Sequence, residues 1–227
     1  MLDMQSQVSD REKARQCFQE KLRDGLRDMT PQAVEVLTDC RIPKIFWNAR
    51  LAELEQRPPK SNQAGLFLSG GTGTLKSVTA AALLIDALPT ILDLEFHPSR
   101  NEFGPVEVAE PKRGSVLWVY VPRLFHELQR NFRNDSGPDL VDECVRARAL
   151  VLDDIGAHAP QPWMLEKLTL IVNERIENGR RTLATSNLDI PAIDKHAPRL
   201  ASRLSAMKLF RLDGPDRRPS WRSEEVN

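Results

Sequence analysis

Residues 69–77 read SGGTGTLKS, one position away from a phosphate-binding loop. The pattern G-x-x-x-x-G-K-[ST] finds Gly70, Lys76 and Ser77 in place, with Gly71, Thr72, Gly73 and Thr74 between them, but Leu75 stands where the second glycine belongs. The stretch before it, GLFLSG, is a short apolar strand, and the stretch after it, KSVTAAALLIDAL, has the composition of a helix. Strand, glycine-rich loop and helix in that order build an anion cradle, because loop N–H groups and the helix N-terminus converge on one point. In such a cradle Lys76 reaches the β/γ-phosphates and the Ser77 hydroxyl ligates Mg²⁺. Glycine in the second position lets backbone approach phosphate without an intervening Cβ. Leu75 is therefore expected to crowd the phosphate path and weaken ATP binding.

Other stretches complete a nucleotide site. RALVLDDIG is an apolar strand ending in two carboxylates, so Asp153 is expected to hold Mg²⁺ and Asp154 to orient the attacking water. The second acid is Asp, one methylene shorter than Glu. RTLATSN is a further strand whose terminal Asn187 suits a polar sensor of the γ-phosphate, though turns also favour Asn. APRLASRLSA sets Arg199 and Arg203 four residues apart on one helical face, without an acid within a turn. That face is either solvated or supplies an arginine finger to a neighbouring subunit.

Apolar strands alternate with amphipathic helices from Gly65 onward: SVLWVYV then PRLFHELQRNF, ALVLDD then PWMLEKLTLIVNERIENG, then RTLATSN. That alternation predicts an α/β parallel sheet with helices on both faces. A proline-rich insertion at about 89–114 has no clear period and is long for a strand–helix connection. EQRPPKSNQ (55–63) reads as a linker. Ahead of the sheet, residues 9–28 are strongly charged, with one thin stripe of Phe18, Leu22 and Leu26 at helical spacing and a capping box from Ser9 to Glu12. The stripe either folds back on the body or docks on a partner protein. TPQAVEVLTDC forms a second short helix from Pro31. The expected division is a helical segment over 1–40 and an ATPase domain over 41–227.

Composition narrows the class. A formal net charge of zero leaves nucleic-acid binding to a local basic face. The three cysteines, Cys17, Cys40 and Cys144, form no C-x-x-C pair, which argues against a zinc or disulfide framework. With no long apolar run, the expectation is a soluble cytoplasmic protein.

SGGTGTLKS, ALVLDDIGAH, TLATSN and PRLASRL, in that order, resemble the AAA+ ATPases of the DnaC/IstB type, the bacterial and phage replicative helicase loaders and their transposon-encoded relatives. The resemblance covers roughly residues 40–218, and IPKIFWNARLAEL and RLDGPDRR at its edges are similar to family sequence. It implies an open P-loop NTPase sheet of the ASCE class, ATP–Mg²⁺ as cofactor, and ATP-dependent self-assembly into an oligomer. It also implies an N-terminal segment that grips the replicative DNA helicase, and hydrolysis that is weak or stimulated by partners. Lys76 and Ser77 match the Walker A pair, Asp153 and Asp154 the Walker B pair, Asn187 sensor 1, and Arg203 the arginine finger with Arg199 one turn before it. Arg217 or Arg218 matches a late sensor arginine. Family members bind single-stranded DNA, and the matching stretches LQRNFRN and GAHAPQPWM offer Phe132 and Trp163 for stacking with Arg130 and Arg133 for phosphates. Three functions remain open at this point: a helicase loader in DNA replication, an IstB-like transposition ATPase, and a non-hydrolysing AAA+ adaptor.

Overall fold

The computed structural model describes residues 2–58, 65–101, 104–134, 140–156 and 161–217, with side chains described throughout except at 2–9, 104–105 and 131–134. Five parallel strands form the central sheet: β1 (Gly65–Gly70), β4 (Val116–Tyr120), β5 (Ala149–Ile155), β6 (Arg181–Ser186) and β7 (Lys208–Leu212). Their order across the sheet is β4-β5-β6-β1-β7. Inner strands of a parallel sheet are covered on both faces and read as near-continuous apolar runs. LFL and ALVL are such runs, and VLWV of the edge strand β4 is another, with alternate residues serving opposite faces. Leu68, Val116, Trp118, Ala149 and Val151 enter one core, and Phe67, Leu117, Val119, Leu150 and Leu152 enter the other.

On the first face lie α1 (Leu2–Asp28), α2 (Pro31–Asp39) and α3 (Lys76–Ile91). Small residues Ala80, Ala81 and Ala82 bring α3 close to the sheet. On the second face lie α4 (Val121–Asn134), α5 (Leu140–Arg146), α6 (Pro162–Glu177), α7 (Ile190–Asp194) and α8 (Pro198–Leu204). Thr30 caps α2, its hydroxyl accepting from the Ala33 N–H, and Asp189 caps α7 in the same way. The second face is pinned by Arg175, fully buried with no carboxylate partner among the described residues: its guanidinium donates to the carbonyls of Cys144, Val145, Ala147 and Arg181 and to the Thr182 hydroxyl. Burial, with Arg180 nearby, lowers its pKa to about 10.

Two readings change in the structure, and one open alternative is decided. The first helix starts at Leu2 and runs through Ser9, so Ser9 is an interior residue and no capping box opens the helix there. Phe18, Leu22 and Leu26 are buried in this chain's own core, which leaves the stripe folded back on the body. The insertion at 89–114 has regular structure: Pro89 lies in the last turn of α3, and β2 (Leu94–Asn101) pairs antiparallel with β3 (Gly104–Pro111). The hairpin's prolines suit a two-stranded ribbon, where an outward-facing N–H is dispensable. It rests on α1, with Arg11 and Arg15 lying over the Phe96 ring.

Candidate nucleotide site

Parallel strands end their carboxyl termini along one edge of the sheet, and the crevice outside that edge is where α/β proteins bind ligands. Here β1 ends in the glycine-rich loop, β5 in the two acids and β6 in TSN. Because β6 lies between β1 and β5, its last residues bridge the loop and the acids.

Gly70 is required where it stands, since a Cβ there would lie 2.2 Å from the carbonyl oxygen of Leu212 on the neighbouring strand. The loop turns tightly, the Thr74 hydroxyl donating to the Gly71 carbonyl at 2.9 Å. Lys76 is 7 % exposed and its ammonium lies inside the loop, donating to the carbonyls of Gly70 (3.0 Å) and Gly71 (2.6 Å). Leu75 adopts left-handed backbone, φ 60° and ψ 28°, and opens α3 without a side-chain cap. The loop thus keeps at Leu75 a conformation that suits glycine. Its half-buried side chain packs on the first core and borders two hollows, one on each side.

The first hollow, about 250 Å³, holds most of the expected chemistry: Thr72, Gly73, Leu75, Lys76, Ser77, Asp153, Asp154 and Asn187 all line it. Asp153 is 6 % exposed, and one carboxylate oxygen accepts from the Ser77 hydroxyl at 2.8 Å and the Thr185 hydroxyl at 2.7 Å. Burial raises its pKa; those two hydrogen bonds work the other way. Successive strand residues point to opposite faces, which would separate Asp153 from Asp154. The pairing of β5 with β6 shifts register between Leu152 and Ile155, and Asp154 takes φ 67°, so both acids face the same hollow. The Asp154 N–H donates to the Thr185 hydroxyl at 2.9 Å, and the Asn187 amide donates to its carboxylate at 3.3 Å.

Two residues of the site escaped sequence reasoning. Thr185 holds both acids, and nothing in the sequence set its hydroxyl apart from those of Thr182 and Ser186 on the same strand. Tyr120, at the end of β4 and paired in register with Asp153, hydrogen-bonds the Asp154 carboxylate. Burial, then the Asp154 charge, raises the Tyr120 pKa. Its signal was position alone, the last strand residue before a helix.

Other expected residues lie elsewhere. Arg199 and Arg203 are exposed on α8, whose Leu200, Ala201 and Leu204 face the core, and neither lines the hollow. Arg130 is exposed on α4, and Trp163 is half-buried at the start of α6 with its indole N–H on Gln161 at 2.8 Å. The side chains of Phe132 and Arg133, residues 157–160 and Arg218 lie outside the described residues. Arg217 borders the second hollow, its guanidinium 2.6 Å from Glu55.

The residues present fit a nucleotide and its cation. The hydroxyl of Ser77 beside the carboxylate of Asp153 is a hard oxygen pair of the kind Mg²⁺ takes while keeping waters and phosphate oxygens as its other ligands. Among the described residues no cluster of three His, Cys, Asp or Glu could hold a metal by itself. No helix among them is long and apolar enough to cross a membrane.

No family model matches the chain. No curated protein matches it either. Solved structures do. A structure of DnaI aligns at TM-score 0.57 and 21 % identity, over 78 % of this chain and 94 % of that one. The DnaC helicase loader aligns at 0.54 and 17 %, over 75 % of this chain and 100 % of that one. AMPPCP-bound DnaA from Aquifex aeolicus aligns at 0.54 and 14 %, over 74 % of this chain and 48 % of that one. At these identities the likeness speaks for the fold alone: this chain shares with DnaI and the DnaC helicase loader a parallel sheet with helices on both faces.

Proposed function

We propose that the chain is an ATP-regulated, helicase-loader-like protein of DNA replication. The observation that carries this reading is the convergence of Lys76, Ser77, Asp153, Thr185, Asp154 and Asn187 on one hollow at the carboxyl edge of the sheet. A drifted scaffold has no physical reason to keep a desolvated Asp153, whose burial opposes its charge. The likeness to a helicase loader, and to a DnaA bound to an ATP analogue, supports the same reading.

In this reading the loop N–H groups and Lys76 bind the phosphates, and Ser77 and Asp153 hold Mg²⁺, which supplies charge neutralisation when bound. Asp154, steadied by Thr185, Asn187 and Tyr120, orients the attacking water. Arg203, with Arg199 as a second candidate, reaches the site of a neighbouring copy in an oligomer. Arg217 takes the late sensor role. Arg130, Phe132, Arg133 and Trp163 bind single-stranded DNA. The replicative helicase is met by the N-terminal helix. Since Phe18, Leu22 and Leu26 are used internally, the contact falls to the exposed residues of its outer face, from Asp10 to Cys17.

One observation favours a second reading, a non-hydrolysing adaptor: the strained Leu75 in the phosphate loop. Titration of the full chain with a fluorescent ATP analogue and Mg²⁺, beside its Leu75→Gly variant, separates the two. Micromolar binding by the native chain supports the switch, and turnover is then tested with helicase and single-stranded DNA. Binding restored only by glycine means the adaptor. No binding by either removes both the cofactor and the enzyme from the account.

A further inference from the structure

We propose that residues 213–217 are an acidic strap, closed over the phosphate loop, that has to lift for nucleotide to enter. The inference rests on the nucleotide reading of the loop and adds regulation of that site. Strand β7 runs beside β1 with Leu212 opposite Gly70, so the chain leaves the sheet at the base of the loop. It then turns back over it. The Arg217 N–H donates to the Gly73 carbonyl at 3.0 Å. A Cβ on Gly73 would lie 1.9 Å from a carboxylate oxygen of Asp216 and 2.7 Å from the Asp216 Cα. Gly73, at φ 78°, is thus both the turn and the seat of the strap.

A clasp holds the other end. The Asp213 N–H donates to the side-chain carbonyl of Gln56 at 3.1 Å, the Gln56 amide donates back to the Asp213 carbonyl, and Arg217 pairs with Glu55. Beneath the strap lies the second hollow, about 250 Å³, bordered by Leu54, Glu55, Thr74, Leu75 and Asp213. A nucleotide seated in the loop would extend its remaining part into this hollow or across its mouth.

Charge decides the sign. The loop's N–H groups and Lys76 make its surroundings electropositive, which is what phosphates use, and the Asp216 carboxylate lies against the loop at Gly73. Carboxylate and phosphate compete for one field and repel each other across a few ångströms. Bringing a triphosphate to the loop therefore opposes the closed strap, and lifting the strap removes both the repulsion and the wall.

Amide hydrogen exchange of residues 213–217 with and without MgATP, alongside dissociation constants for the native chain, Asp216→Asn, Gln56→Ala and Leu75→Gly, tests this. Asp216→Asn keeps the shape and removes the charge. The expected result is faster exchange of 213–217 in the nucleotide complex, and MgATP affinity higher by roughly five- to ten-fold in Asp216→Asn, the size of one like-charge contact near the surface. Gln56→Ala, which opens the clasp, is expected to accelerate exchange without nucleotide. Nucleotide bound with the strap still protected, or with equal affinity in native chain and Asp216→Asn, overturns the strap alone. Absence of binding in every form, Leu75→Gly included, overturns the nucleotide reading and the strap with it.

Discussion

Leu75 carries two opposed contributions. Left-handed backbone at a residue with a Cβ costs about 1–2 kcal/mol, and glycine would relieve it. The same substitution would forfeit a half-buried leucine packed on the first core, worth a similar amount for partial burial. Leu75→Gly is therefore expected to leave the melting temperature of the ligand-free protein nearly unchanged and to enlarge the upward shift produced by MgATP. Scanning both proteins with and without nucleotide checks this; a large loss of ligand-free stability would mean that the leucine is chiefly a packing residue. Asp153 gives the converse case. Its folded pKa is raised above 3.8 by burial, so protonation is favoured more in the folded than in the unfolded state. The resulting stability is fully present below the unfolded pKa and is lost as pH rises through the folded one. At neutral pH and without Mg²⁺, Asp153→Asn should melt higher than the native chain, with the difference vanishing near pH 3.8 and below. Equal melting at both pH values would refute it. Burial of this kind is a cost in stability accepted for the site.

At the scale of elements, the strands that follow the pattern of apolar runs and turn residues are the three of the sheet interior and the edge strand β4, whose VLWV is buried. GLFLSG coincides with β1, and ALVLDD and RTLATSN nearly coincide with β5 and β6. The signal of β1 and β5 is strong because burial on both faces demands an unbroken apolar run, whereas β6 sets Leu183 and Ala184 among buried Thr182, Thr185 and Ser186. The edge strand β7, KLFRL, is alternating, with Leu209 and Arg211 exposed, and only five residues long, so nothing in its composition separated it from a loop. Hairpin β2–β3 was hidden by its prolines, which in an interior strand would break the ladder. The loop, the acid pair and Asn187 were legible as spaced motifs; Thr185 and Tyr120 were not, because they join the site through sheet order, which spacing does not encode. The first helix illustrates the remaining gap: its stripe was legible, its docking surface was not. Leu22 is 1 % exposed within the first core. Leu22→Ala is expected to destabilise the whole domain by roughly 2–5 kcal/mol. A denaturant midpoint unchanged by that substitution would mean that the helix contributes nothing to the folding of the sheet it packs against.

On the scale of the whole molecule, the proposed site has its binding groups together and its candidate arginine finger apart. Among the described residues, Lys76, Ser77, Asp153, Asp154 and Asn187, to which the proposed reading gives phosphate, cation and water, line one hollow, whereas Arg199 and Arg203 stand on an exposed helical face outside it. Helix α8 is fixed from behind by Leu200, Ala201 and Leu204, so neither arginine can swing into its own site without unpacking the second core. An arginine so placed either stands in solvent or, in the proposed reading, completes a neighbour's site. Arg203→Ala should accordingly leave MgATP binding by the monomer at the native value and abolish ATP-stimulated assembly or turnover, where a transition-state arginine is worth on the order of 10³-fold or more in rate. Mixing provides the sharper measurement. Arg203→Ala lacks the donated arginine and Asp154→Asn lacks the acid, and each alone is inactive in this account. In a mixture, a native Arg203 from the second protein meets a native Asp154 from the first at some interfaces, and part of the turnover returns. Recovery on mixing requires the two residues to act across a subunit boundary; its absence, with both proteins still binding nucleotide and still assembling, would place Arg203 in no active site.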